Sequence, residues 1–168
     1  MEFPDSAKKH IDEANSSKQK EVLEVEGFME VLTKVDLDLA YSSEKLVNLN
    51  GLLMQLSSQE NELEAMAVGN DHLMPEFIEK ALVFNLLSSI LDSEVRELDS
   101  FMVSLQAGIV DAHRKISSCR HLTEPYTMME EKLRDSDESL KQTQYQISEV
   151  KSQSSKLQRT VLAFAHGN

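Results

Sequence analysis

Between Glu76 and Cys119 the chain repeats apolar residues in alternating steps of four and three. The frame runs Phe77, Ala81, Phe84, Ser88, Leu91, Val95, Leu98, Met102, Leu105, Ile109, Ala112, Ile116 and Cys119, and only Ser88 in it is polar. A stripe with a mean step of about 3.5 residues drifts off the side of a straight helix, and stays in place only when that helix winds about a partner. The stretch must therefore pack against another helix, and nothing in it performs chemistry.

The same rhythm occupies two further stretches. One runs through Val25, Phe28, Leu32, Val35, Leu39, Ser42, Leu46, Leu49, Leu53, Leu56, Glu60, Leu63 and Ala67, where Ser42 and Glu60 are the exceptions. The other runs through Leu122, Tyr126, Met129, Leu133, Ser136, Leu140, Thr143, Ile147, Val150, Ser154, Leu157 and Val161 and is more polar. Three prolines, five glycines and no tryptophan leave few breakers, which favours long helices over a sheet. The predicted fold class is all-α, an elongated helical hairpin or three-helix coiled-coil bundle.

The breakers that exist set the boundaries. Gly69 suits the residue after a helix C-terminus, and Pro75 suits the first turn of the next helix. From Ile116 to Cys119 to Leu122 the step is three then three, one residue short of the heptad count, and Pro125 follows, which marks a kink or a break. Thr123 is the expected N-cap there. The expected organisation is a mobile tail over 1–18, a helix over 19–68, a loop over 69–75, a helix over 76–121, a helix over 122–165 that is kinked or broken near Pro125, and a short tail over 166–168. Between 77 and 91 the apolar surface is wider than one seam, adding Ile78, Leu82, Val83, Leu86, Leu87 and Ile90, so that helix is expected to touch more than one partner.

The formal net charge of -12 argues against nucleic acid and anionic membrane surfaces, both of which demand basic faces. A single cysteine, Cys119, excludes an internal disulfide framework. The N-terminus has no signal-peptide core, and the Val161–Ala165 run is five residues long against the roughly 17 to 20 that span a bilayer, so no direct membrane insertion is expected. Acids precede bases by four residues at Glu76/Lys80, Asp92/Arg96, Asp111/Lys115, Glu130/Arg134 and Asp137/Lys141, the mark of solvated helix faces.

Candidate chemistry is sparse. Cys119, His121 and His113 form the one cluster of thiol and imidazoles, but Cys119 sits in a seam, where a lone cysteine packs as a small apolar residue. The adjacent pair Glu130 and Glu131 points apart on a helix, and His10, His72 and His166 are scattered. The methionines Met29, Met54, Met66, Met74, Met102, Met128 and Met129 read as core filling. Ser136 and Ser139 in RDSDES lie in an acidic context that suits phosphorylation, though a solvated face is the plainer reading. No phosphate loop, nucleophile elbow or metal-ligand spacing is present, so catalysis, cofactors and metals are not expected. The site expected to matter is the helix-packing seam: Leu32, Leu39, Leu46, Leu49, Leu53, Leu56, Phe77, Phe84, Leu91, Val95, Leu98, Met102, Leu105, Ile109 and Ile116.

Four blocks, LAYSSEKLVNLNGLLM (39–54), EKALVFNLLSSILDSEVRELDSFMVSLQ (79–106), DAHRKISSCRHL (111–122) and EEKLRDSDESLKQTQ (130–144), resemble the N-terminal coiled-coil region of plant WPP-domain-interacting tail-anchored proteins. The resemblance implies a non-enzymatic adaptor on the cytoplasmic face of the outer nuclear envelope. It further implies that such an adaptor binds the WPP domain of RanGAP, associates with WPP-domain-interacting proteins linked to SUN proteins, and helps attach a class XI myosin to the nucleus. Partners are then proteins, including self or a full-length relative through the coiled coil. In that family a C-terminal anchor holds the arm on the membrane, so this chain alone is expected to be soluble and cytoplasmic, reaching the rim through partners. The rival expectation, from the seams alone, is a structural bundle or homo-oligomeric spacer.

Overall fold

A computed structural model describes residues 5–69 and 74–165. Three helices account for nearly all of them: α1, Asp5–Val68; α2, Pro75–Ser117; and α3, Thr123–Ala165. No strand occurs among the described residues.

Helix α1 starts at Asp5, so residues 5–18 are helical where the sequence predicts a mobile tail. The expectation rested on the lack of apolar side chains, and residues 8–20 are indeed all exposed. Burial is not the only source of helicity, however. Past Pro4 the stretch has no breaker and holds Ala, Lys, Glu and Gln, all strong helix formers, so it extends a helix already anchored downstream without a new nucleation cost. Residues 1–4, 70–73 and 166–168, which include His72 and His166, lie outside the described residues, as does the side chain of Val161.

At the end of α1 the Gly69 amide donates to the Ala65 carbonyl at 3.1 Å. Helix α2 opens with Pro75, whose missing N–H is no loss in the first turn, and the Ile78 amide donates to Met74 at 3.2 Å. Between α2 and α3 the chain tightens. Cys119 N–H reaches the Ile116 carbonyl at 3.0 Å, and Leu122 N–H reaches Cys119 at 2.9 Å. These three-residue steps keep Ile116, Cys119 and Leu122 all buried through the turn. Helix α3 starts at Thr123, with the Leu122 carbonyl accepting from Tyr126 at 2.9 Å. Leu122 thus occupies the cap position and Thr123 is the first helical residue, one position later in role than the sequence suggests.

The chain divides into two compact units, each taking a piece of every helix. The first comprises Met1–Asp38 and Leu105–Leu140, the second Leu39–Ser104 and Lys141–Asn168. In the first, α1 and α3 run parallel, as the pairs Glu24–His121 and Asp36–Ser136 record. In the second, α1 and α2 run antiparallel, as Lys45–Glu94 and Lys80–Glu62 record, and Tyr41 meets Phe101 edge to face at 5.5 Å. Helices α2 and α3 are antiparallel there too, through Asp99–Lys151 and Ser88–Gln158.

Every buried side chain among the described residues lies on one of the three heptad frames. The first unit buries Phe28, Leu32, Val35, Leu105, Ile109, Ala112, Met129 and Leu133; the second buries Leu46, Leu49, Leu56, Phe84, Leu91, Leu98, Ile147 and Val150. Each large side chain so buried contributes about 1.5–3 kcal/mol relative to exposure. At the ends of the frames Val25, Glu60, Ala67, Phe77, Ala81 and Tyr126 are half-buried.

Candidate interaction surface

The seam residues Leu32, Leu39, Leu46, Leu49, Leu53, Leu56, Phe84, Leu91, Val95, Leu98, Met102, Leu105, Ile109 and Ile116 are buried, and Phe77 is half-buried. They are covered by this chain's own helices. The seams pack the helices of each unit against one another, and an outside helix would have to displace one of them to reach these positions. A partner surface has to be sought on what the seams leave outside.

In the second unit the outer face of α2 stands out. Ile78, Leu82, Leu86 and Ile90 follow one another at four-residue steps, with Val83 beside them, and all five are exposed, Leu82 by 64% and Leu86 by 63%. From Ala81 to Leu91 there is not one charged residue, in a chain that is 27% charged. These are the side chains that widen the apolar surface beyond one seam. The helix meets two partners at this level, α1 through Lys80–Glu62 and α3 through Ser88–Gln158, yet these five side chains stay exposed, and only Leu87 of the group turns partly inward. A contiguous exposed apolar patch of this kind marks an interaction site more often than an isolated exposed leucine does.

The patch has a charged border at its N-terminal end. Glu76 and Glu79 flank a groove of about 430 Å³ floored by Leu63 and Val83. Lys80 bridges to Glu62 of α1 and lies 3.4 Å from Glu76. Its hydrogen bond to Glu62 and the two nearby carboxylates hold the ammonium above its ordinary pKa, against a desolvation effect of the opposite sign. At the other end Asp92 pairs with Arg96 at 3.0 Å.

The remaining sequence candidates resolve individually. Cys119 is fully buried, its Sγ donates to the Lys115 carbonyl at 3.5 Å, and burial pushes its thiol pKa up, the opposite of an activated nucleophile. His113 Nε2 lies 2.8 Å from Asp137 Oδ2 and His121 Nε2 lies 3.7 Å from Glu24 Oε2, so the two imidazoles serve separate carboxylates. No group of three or more metal-ligating side chains occurs among the described residues. Ser136 is buried, with its hydroxyl donating to Asp36 Oδ1 at 2.7 Å, which removes it as an accessible phosphorylation site. Among the methionines Met102 and Met129 are core, whereas Met54, Met74 and Met128 are exposed. The pairs Glu76/Lys80, Asp92/Arg96 and Glu130/Arg134 form at four-residue spacing, while Asp111 reaches Arg114 at 3.8 Å and Asp137 turns to His113. His10 sits 3.9 Å from Glu13, and Glu130 and Glu131 are both exposed.

Comparison with known proteins agrees with a helical bundle. Residues 25–164 match the family described as "WIT1/2, N-terminal helical bundle". The chain is 46% identical over 155 residues to WPP domain-interacting tail-anchored protein 2 of Arabidopsis thaliana, covering 92% of this chain and 24% of that protein. It is likewise 46% identical over 140 residues to WPP domain-interacting tail-anchored protein 1 of the same plant, covering 77% of this chain and 20% of that protein. It thus spans less than a quarter of the length of either relative. On the match over residues 25–164 and these identities, the chain belongs to the WIT1/2 N-terminal helical bundle family.

Proposed function

We propose that this chain is a non-enzymatic helical adaptor that docks WPP-domain proteins on the outer face of α2 between Ile78 and Ile90. The observation that carries the reading is that charge-free apolar stripe, exposed on a chain of net charge -12 whose seams are already occupied. The names of the two relatives supply the class of partner. In this reading the WPP domain of RanGAP is the first ligand, and the bundle helps couple the nuclear envelope to WPP-domain-interacting proteins and a cytoplasmic motor.

No helix among the described residues is long and apolar enough to cross a membrane. In this reading the described helices reach the nuclear rim through partners. A fluorescent fusion of this chain is expected to be diffuse in cells lacking the anchored partners and enriched at the rim when they are supplied. A sharp rim without them defeats that part of the reading.

The direct test is a pull-down of the full chain with a WPP domain. Leu82→Asp/Leu86→Asp changes two exposed residues, so it should abolish capture while leaving the helical circular dichroism spectrum intact. Undiminished capture would remove α2 as the docking face. Failure of the unsubstituted chain to bind any WPP domain would leave the structural spacer as the better reading.

A further inference from the structure

The first unit carries a different surface. At the start of α3, beside residues 21–26 of α1, lies a groove of about 560 Å³ with Val22, Val25, Leu122, Pro125 and Met128 as its apolar floor. Val22 and Met128 are exposed there. Three carboxylates, Glu21, Glu26 and Glu124, stand on its rim, and none of them has an ion pair among the described residues. Many other acids of the chain, Glu62, Asp92, Glu94, Asp99 and Glu130, do have a cation in reach.

The imbalance extends beyond the rim. Residues 21–30 contain Glu21, Glu24, Glu26 and Glu30 with no Lys or Arg, and between His121 and Met129 the one charged residue is Glu124. Basic groups border the stretch: Lys20 and Lys34 on α1, Arg120 before α3 and Lys132 on it, His121, which faces Glu24, and Lys115, whose Nζ lies 3.9 Å from where a Cβ on Gly27 would sit.

We infer that this groove receives a basic amphipathic segment of another protein, with an apolar stripe seated on the floor and Lys or Arg meeting the rim. The chemistry selects that occupant. An acidic or neutral helix would bury the same apolar area but bring Glu21, Glu26 and Glu124 into a partly desolvated interface without counter-charges, which costs more than the contact returns. A helix flanked by Lys or Arg supplies them and is also steered to the site by the field. The proposal is independent of the α2 face and stands whether or not a WPP domain binds there.

The test uses the full chain and three labelled helical peptides of equal length, read by fluorescence anisotropy. The first carries leucines on one face flanked by lysines, the second replaces every lysine by glutamate, and the third shuffles the first so that its leucines no longer share a face. The first should bind at least about tenfold more tightly than either other, a gap of about 1.4 kcal/mol. Glu21→Lys/Glu26→Lys/Glu124→Lys should reverse the preference between the first two peptides. Val22→Ser/Met128→Ser should weaken the first, and Leu82→Asp/Leu86→Asp should leave it unchanged. Equal binding of the first and shuffled peptides would mean charge alone is read, and overturns the inference. So would an unaltered preference in the triple variant, or loss of binding with the α2 substitutions. A two-copy mass by light scattering that the triple variant returns to one copy would assign the groove to a second copy of this chain instead.

Discussion

Two helical glycines make the packing testable, because the same substitution should have opposite signs at them. A Cβ added at Gly51 meets nothing within 4 Å, whereas one at Gly108 lies 2.8 Å from Val35 Cγ2. Glycine inside a helix is less favourable than alanine by about 0.8–1.0 kcal/mol, so Gly51→Ala should stabilise the protein by close to that amount. Gly108→Ala gains the same propensity but forces a carbon into a contact well under the roughly 3.5–4.0 Å optimum. Val35 is buried, and a β-branched side chain in a helix has essentially one rotamer, so Cγ2 has nowhere to swing. Overpacking of this kind costs about 1–3 kcal/mol, which turns the net effect at Gly108 to between roughly zero and 2 kcal/mol of destabilisation. The two single variants should therefore be separated by about 1–3 kcal/mol, or about 2–12 °C in melting temperature for a chain of this size. Urea unfolding followed by circular dichroism at 222 nm gives the difference directly. Adding Val35→Ala to Gly108→Ala should recover part of the loss as a coupling of about 0.5–3 kcal/mol. If Gly108→Ala stabilises as much as Gly51→Ala and shows no coupling to position 35, the close approach of α1 and α2 at that level is wrong.

Three further outcomes are expected. Leu98 is buried at 2% exposure, so Leu98→Asp should unfold or severely destabilise the bundle in a thermal melt by placing an unpaired carboxylate in its core, while Arg96→Ala on the solvated face should change stability by less than about 0.5 kcal/mol. Cys119 should resist alkylation until the protein unfolds; and because burial raises its pKa in the folded state, the folded state holds the proton more tightly, so stability present at neutral pH should fall as pH rises past the unfolded thiol value of about 8.5, a loss that Cys119→Ala should abolish in pH-dependent urea titrations. The Gln158 amide donates to both the Ser88 carbonyl at 2.9 Å and the Ser88 hydroxyl at 3.0 Å, so Gln158→Ala should cost about 1–2 kcal/mol of denaturant stability, and equal losses with Ser88 and with Ser88→Ala would show that the hydroxyl contact contributes nothing.

Much of the architecture is legible in the sequence because a heptad stripe has one physical solution, an interhelical seam. The buried positions from Phe28 to Leu157 keep to the three frames, and the three-three step at Ile116, Cys119 and Leu122 is the tightened turn seen in the hydrogen bonds. The start of α1 was not legible, since residues 5–18 lack the apolar rhythm and helicity there rests on propensity and continuity with a packed helix. The side of α2 carrying Ile78, Leu82 and Leu86 illustrates a different limit. Periodicity reveals a second apolar stripe but not whether another helix of the same chain covers it, and here none does.

That limit explains why the proposed partner surface emerges by subtraction. A leucine at a seam position serves any bundle, so Leu46 or Leu91 says that helices meet and nothing about what else they meet. Uniform apolar seams would even tolerate a slip by one heptad, and the polar seam residues act against it. Ser88 meets Gln158, 70 residues along the chain, within the second unit, and Ser136 meets Asp36, 100 residues back, within the first. A seven-residue slip would bury either serine without its partner, at about 1–3 kcal/mol for each unsatisfied group. Such a slip keeps the same frame positions facing inward on each helix, so the buried polar contacts select how the helices pair and not which residues of α2 face outward. Ile78, Leu82, Leu86 and Ile90 lie on one helix at four-residue steps and form the outward stripe because Phe84, Leu91 and Leu98 of the same helix face inward.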